Sequence, residues 1–304
     1  MGSRGKTKRT RAAGTRRDAA GRLHLALHRD PVSGREGIAL QVPVFEESWQ
    51  NDVAAGTANT AYATLGRAAT LPGTVELARN VMAATSRLTE GLLAGAPAGA
   101  VACRAGCDHC CYQIVGVTPP EALAIFDHLS QTASDSELEE ISARIAEARA
   151  RTRGLTSAER FSPEHPCPFL RAGRCSIYEV RPLACRGMNS LDAHECETRL
   201  RDPATREAFL AEAAPGHSFM EPIRAFHAVS AGLQLALAEL YRLDMRALDL
   251  TAAMDLLLNG AESIPTDWIG TGHPFEPART DDARDKEALQ RMSGTLARDP
   301  TQGH

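Results

Sequence analysis

The chain has 304 residues, enough for one large domain or two ordinary ones. Apolar residues make up 43% and charged residues 24%, which excludes wholesale disorder, and aromatics at 5% exclude a surface of base-stacking rings. The net charge of −4 hides a cationic start: Arg4, Lys6, Lys8, Arg9, Arg11, Arg16 and Arg17 precede the first acid, so the rest of the chain is acidic.

Taken in order, residues 1–35 read as a basic, flexible, solvated tail and linker. Nucleic acid is not expected as its partner. Leu23 to Leu27, interrupted by His24, is too short for the apolar region of a secretory signal. Gly37 to Phe45 is a short β-branched run that suits a strand, weakened by Pro43. Ser48 to Leu93 has helical spacing with a break expected near Pro72–Gly73. Residues 95–100 form a connector.

Thr118-Pro119-Pro120-Glu121 is a helix start with a capping box, followed by the buried stripe Ala122, Ile125, Phe126 and Leu129. Ser134 and Glu137 repeat the box ahead of Leu138, Ile141 and Ile145. Glu140–Arg144 and Glu147–Arg151 are spaced for pairing outside, and Gly154 is a stop. Residues 155–200 lack periodicity apart from a short turn around Ile177 to Val180. Helices are then expected at 203–214, 221–242 and about 245–258, the second presenting Ile223, Phe226, Ser230, Leu233, Leu237 and Tyr241 on one face. Trp268 reads as a core anchor. No stretch reaches the ~18–20 apolar residues of a membrane span, so no membrane is expected.

Eight cysteines stand out in a chain expected to be cytoplasmic, where structural disulfides are rare. Four fall within nine positions, Cys103-x3-Cys107-x2-Cys110-Cys111. The others, Cys167, Cys175, Cys185 and Cys196, spread over 30. Close spacing on loops is what a chelating site needs, because several thiolates must face one centre. Adjacent Cys110 and Cys111 are expected to diverge, so that one serves a second centre, bridges, or stays free. The C-x3-C-x2-C run is more typical of iron–sulfur ligation than of zinc. It is also the spacing of radical enzymes that use S-adenosylmethionine, but helical surroundings argue against those. Arg181 and Arg186 bracket Cys185 and are candidate hydrogen-bond donors to thiolate or sulfide, more so than Arg171 and Arg174. His109, His165 and His194 lie near the cysteines and read as supporting groups rather than ligands.

Cys103-x3-Cys107-x2-Cys110-Cys111, Cys167-Pro168-Phe169-Leu170 and Gly173-x-Cys175-x-Ile177-Tyr178-Glu179-x-Arg181-Pro182-x-x-Cys185-Arg186 together resemble the bacterial YkgJ-like cysteine-cluster proteins, over about residues 100–200. The resemblance implies a zinc- or iron-chelating domain with Cys103, Cys107, Cys110, Cys111, Cys167, Cys175 and Cys185 as ligands. Cys196, in His194-Glu195-Cys196-Glu197, is a less general feature of the family. Flagellin lysine N-methylases carry a similar cluster, which implies an iron–sulfur centre as one option.

The expectation is a mainly α protein, a helical scaffold on which two cysteine-rich loop segments converge on an iron–sulfur cluster, favoured, or on zinc. The expected segments are 1–35 (basic tail), 36–100 (helical), 101–200 (cysteine cluster), 201–275 (helical, packed on it) and 276–304 (polar tail). Its function is read as metal holding. The rival readings are a cluster-dependent modifying enzyme, methylase-like by analogy, and a thiol redox sensor. No catalytic residue is identifiable.

Overall fold

A hairpin precedes the helices. Leu25–Arg29 (β1) pairs antiparallel with Glu36–Leu40 (β2), Leu25 opposite Leu40. The computed structural model describes residues 25–279 except 30, 32, 35, 42 and 211–216. The cluster of basic residues at the start and the tail beyond 279 lie outside the described residues. β1 corrects the reading of 25–29 as linker, and β2 is shorter than the expected strand. Both departures have one cause. Asn59 clamps the hairpin edge, its side-chain oxygen accepting from Ile38 N (2.6 Å) and its amide donating to Ile38 O (2.5 Å), while Glu239 accepts from Leu25 N (3.0 Å). Such partners lie far along the chain from the strands they hold.

Ser48–Leu65 (α1) and Leu71–Ala94 (α2) form the first helical pair. The break falls at Gly66–Thr70, not at Pro72–Gly73, because proline in a first turn loses no intrahelical donor. Gly66 turns the chain with φ +61°, and Thr70 caps α2 by accepting from Gly73 N (3.2 Å). Gly116–Val117 (β3) leads into Pro119–Thr132 (α3), and Asp135–Thr152 (α4) follows. Both expected capping-box residues are engaged at each start, and Gly154 stops α4 at φ +80°. Arg151 pairs with Glu147, whereas Arg144 donates instead to Pro168 O (2.8 Å), tying α4 to the second cysteine segment.

That segment is more ordered than its lack of periodicity suggests. It holds Ser157–Arg160 (α5), a hairpin of Leu170–Arg171 (β4) and Arg174–Cys175 (β5), Leu183–Gly187 (α6) and Ala193–Arg201 (α7). Pro203–Leu210 (α8) and the long Met220–Leu235 (α9) come next. α9 continues through a wider π turn, Ala236–Leu240. Leu248–Asp249 (β6) pairs with β3, and Leu250–Asn259 (α10), Ile264–Ile269 (α11) and a 3-10 turn, Glu276–Ala278, close the described chain. α10 starts later than the expected 245, because Asp249 caps it by accepting from Thr251 N and Ala252 N. About 60% of the described residues are helical. Among the described residues no helix is long and apolar enough to cross a membrane.

α9 is the spine, packed against α1, α2 and α6. Phe226, Leu233 and Leu237 are buried on it as the spacing predicts, and Trp268 is fully buried with its indole N–H on Asp244 O (2.8 Å). Gly232 lets α1 approach: a Cβ there would collide with Ala54 O and Thr57. Overpacking of this kind costs about 3 kcal/mol at most when the backbone can shift. Gly232→Ala should therefore destabilise the chain by about 2–3 kcal/mol in a urea titration, and an unchanged midpoint would show that the α1–α9 contact yields freely.

Candidate metal centre

The first cysteine segment is a chain of tight turns. Gly106, at φ +88°, lets Cys107 N reach back to Arg104 O (2.9 Å). A 3-10 turn, His109–Tyr112, follows and carries Cys110 and Cys111.

The second segment docks on the first through Cys167 N donating to Cys111 O (2.7 Å). The β4–β5 hairpin turns on two residues, Ala172 (φ 47°) and Gly173 (φ 73°), the positive-φ pair that matches strand twist. It sets Cys175 beside the Cys167 turn. α6 then presents Cys185, and its first N–H, on Leu183, donates to the Glu121 carboxylate (2.8 Å). Glu121 is 1% exposed and also accepts from Thr118 N (2.9 Å) and the Thr118 hydroxyl (2.7 Å). One buried carboxylate thus caps α3 and fixes the start of the Cys185 helix.

Cys196 lies on α7, a helix that the loop-like reading missed. Its signal was legible: Asp192 caps it, accepting from His194 N (2.9 Å) and Glu195 N (3.1 Å), in a D-x-x-E variant of the box already recognised elsewhere. Ser190, also missed, carried no local signal. Its O accepts from Ala102 N (2.8 Å) and its N–H donates to Cys103 Sγ (3.2 Å).

All eight cysteines are free thiols. Burial pushes Cys167 up to about 12 and Cys103 up to about 11, against the opposing pull of backbone N–H groups from Phe169 and Ser190. Cys175 is raised by burial, opposed by the Ile177 N–H and by Arg181, and burial also carries Cys185 well up. The Cys110 thiol rises well above its usual value, first through the neighbouring Cys111 thiol and then through burial of its sulfur, although the residue as a whole is exposed. Among the described residues no three Cys, His, Asp or Glu groups, as placed, already surround one point as ligands.

The two arginines have different tasks. Arg186, buried, spends its donors on Arg181 O (2.9 Å), Glu179 O (2.6 Å) and the Ser86 hydroxyl, and burial lowers it to about 10. It braces the turn that carries Cys185. Arg181 stacks on Tyr178 (4.0 Å), and its charge bears on Cys110, Cys175 and Cys185, while its buried Nε has no hydrogen-bond partner. Arg171 and Arg174 are exposed. Of the histidines, His109 is half-buried and His194 exposed. His165 lines a small cavity beside Cys167 with Tyr112, Gln113, Arg160 and Thr251, and its Nδ1 is buried without a partner. That cavity offers about 20 Å3 to the centres of water molecules, room for about one.

Residues 102–203 match the family model described as a putative zinc- or iron-chelating domain, CxxCxxCC. The matched stretch runs from the residue before Cys103 past the end of α7, so all eight cysteines lie inside it. No curated protein and no solved structure matches the chain.

Proposed function

We propose that this chain, whose residues 102–203 match the family model of a zinc- or iron-chelating domain, is a non-catalytic metal-holding protein whose ligands are Cys103, Cys107, Cys110, Cys111, Cys167, Cys175, Cys185 and Cys196. The observation that carries this reading is the Ser190 N–H donating to Cys103 Sγ (3.2 Å) among eight free thiols, and the backbone N–H groups of Phe169 and Ile177 likewise pull down on Cys167 and Cys175 against burial. An amide that donates to sulfur stabilises the thiolate over the thiol, and it is thiolate that binds metal. Each Sγ turns on a single χ1 bond, so a metal gathers neighbouring thiols without remaking the fold. Arg181 offsets the charge that accumulates there, and the C-x3-C-x2-C spacing favours iron–sulfur over zinc. A reducing cytoplasm suits eight free thiols.

One feature weighs against the redox rival. A thiol redox sensor needs a thiol whose pKa is lowered, and Cys110 is raised instead. The test is anaerobic purification with metal and acid-labile sulfide analysis. Iron with sulfide in about equal amounts and visible absorption selects the cluster, and colourless protein with bound zinc selects zinc. The double variant Cys107→Ser, Cys175→Ser should lose its metal while keeping its far-ultraviolet helical signal. Full metal content in that variant would sink the assignment.

A further inference from the structure

Arg171 and Arg174 stand directly opposite one another on the β4–β5 hairpin, on either side of its two-residue turn. Directly opposed residues project to one face of an antiparallel pair, with Cβ atoms about 5 Å apart, and like charges placed in this way repel. Both side chains are exposed, and neither guanidinium has an ion pair or hydrogen bond among the described residues. An acid at either position would turn the repulsion into attraction, so folding alone does not call for this pair. A local rule broken without a compensating contact marks a functional position.

The same edge gathers further positive charge. The hairpin tip rests against the first cysteine segment, since a Cβ on Gly173 would touch Gly106 O at 4.0 Å. Arg104, two positions before Gly106, is exposed, and its guanidinium too has no partner among the described residues. Beyond β5, Arg181 stacks on Tyr178 (4.0 Å), whose ring belongs to a residue 58% exposed. The acids of these two stretches, Asp108 and Glu179, form no ion pair with any of these arginines. The chain carries a net charge of −4 and, outside its basic start, more acid than base, so this edge is a local reversal of sign.

We propose that Arg104, Arg171 and Arg174 form a docking edge for an acidic segment of a partner protein, whose carboxylates enter between the opposed arginines. Each guanidinium can grip a carboxylate through two parallel N–H bonds, and a carboxylate set between two of them cancels their repulsion. Exposure and sign choose the partner. Arg171, Ala172 and Arg174 are all exposed, so nothing walls a small free anion, which gains only a screened surface contact. A protein segment is long enough to reach Tyr178 as well, four positions on from Arg174, and arginine and tyrosine are the residues that anchor such interfaces. Nucleic acid would bring dense negative charge against the acidic rest of the chain, and it would find one face of Tyr178 already covered by Arg181. Docking there sets the partner beside both cysteine segments, whether or not the thiols hold metal.

The test is fluorescence anisotropy of a labelled polyglutamate peptide, about ten residues long, titrated with the full chain. Wild-type protein should bind it, and raising the salt from about 50 to 200 mM should weaken binding several-fold. Arg171→Glu should weaken it about tenfold, the double variant Arg171→Glu, Arg174→Glu further, and Arg104→Glu, on the other loop, should weaken it as well. Arg87→Glu, an equal change of charge at an exposed position on α2, should leave binding unchanged. Equal binding by wild type and the double variant would overturn the proposal, because the basic start of the chain would then be what holds the peptide. So would a wild-type protein that does not bind the peptide, or duplex DNA that binds more tightly than the peptide and is released by the same double variant. Melting curves separate docking from a role in the fold. Arg171→Glu should raise the melting temperature by about 1–2 °C, through attraction to Arg174 across the hairpin. A fall would show that the arginine pair serves the fold, and that too would overturn the proposal.

Discussion

Glu121→Ala should lower the melting temperature by about 10 °C and weaken metal retention at the same time. The carboxylate accepts from Thr118 N, the Thr118 hydroxyl and Leu183 N, and it is 1% exposed. Alanine leaves all three donors in a dry site, at about 1–3 kcal/mol each, partly offset because a buried charge disappears as well. A net loss of about 3 kcal/mol corresponds to roughly 10 °C in a domain of this size. Leu183 opens the helix that presents Cys185, so the same loss loosens a candidate ligand; a merely structural cap would not affect metal content. Burial raises the Glu121 pKa against the opposing hydrogen bonds from Thr118 and Leu183 and the charge of Arg186. The folded state therefore keeps this proton to higher pH than the unfolded chain. Stability from this group is complete below the unfolded carboxylate value and declines as pH rises through the folded one. Glu121→Gln should remove that part of the pH profile. Melting curves between about pH 4 and 8 check it, and parallel profiles for wild type and Glu121→Gln would refute the assignment.

The same residue shows where sequence reading succeeds and where it stops. Thr118 and Glu121 are three positions apart, and their capping box is legible because both partners are local, as are Ser134 with Glu137 and the stop at Gly154. The second task of Glu121, holding Leu183, spans 62 positions and leaves no local mark. β1 was hidden for the same reason, since Glu239 holds Leu25 across 214 positions. The cysteines themselves were legible because chelation needs particular atoms at short spacing. Their grouping was not, because Ser190 reaches Cys103 across 87 positions. Arg181 and Arg186 were indistinguishable in sequence, each four positions or fewer from Cys185. Only burial and the direction of donors separate a brace from a charge that faces sulfur.

Removing metal should cost more than any single substitution, and the cost should shrink as pH falls, because protons then compete with the metal for the thiolates. A ligand at about 1,000 times its dissociation constant stabilises a fold by about 4 kcal/mol, or more than 10 °C here, and chelation removes that contribution. In the metal-free chain the thiols hold their protons at neutral pH, Cys167 with a pKa of about 12 and Cys103 of about 11, both raised by burial. Metal binding expels those protons, so the bound state carries fewer protons than the free one at every pH below the raised values. Affinity must therefore rise with pH, by about one decade per pH unit for each thiol that gives up its proton. Competition with a chromophoric chelator between about pH 6.5 and 7.5, corrected for the chelator's own protonation, measures that slope directly. A slope near zero would mean that the metal is held by groups already deprotonated in the free chain, and the thiols would then not be its ligands. A slope of several protons per ion, lost one at a time as individual cysteines are replaced by serine, counts the thiolates around each centre. Unfolding by chelator should also begin in residues 102–203, because that stretch alone carries the thiols, while α1, α2 and α9 keep a core built from leucine, alanine and phenylalanine. Hydrogen exchange before and after chelation distinguishes that local opening from collapse of the whole fold.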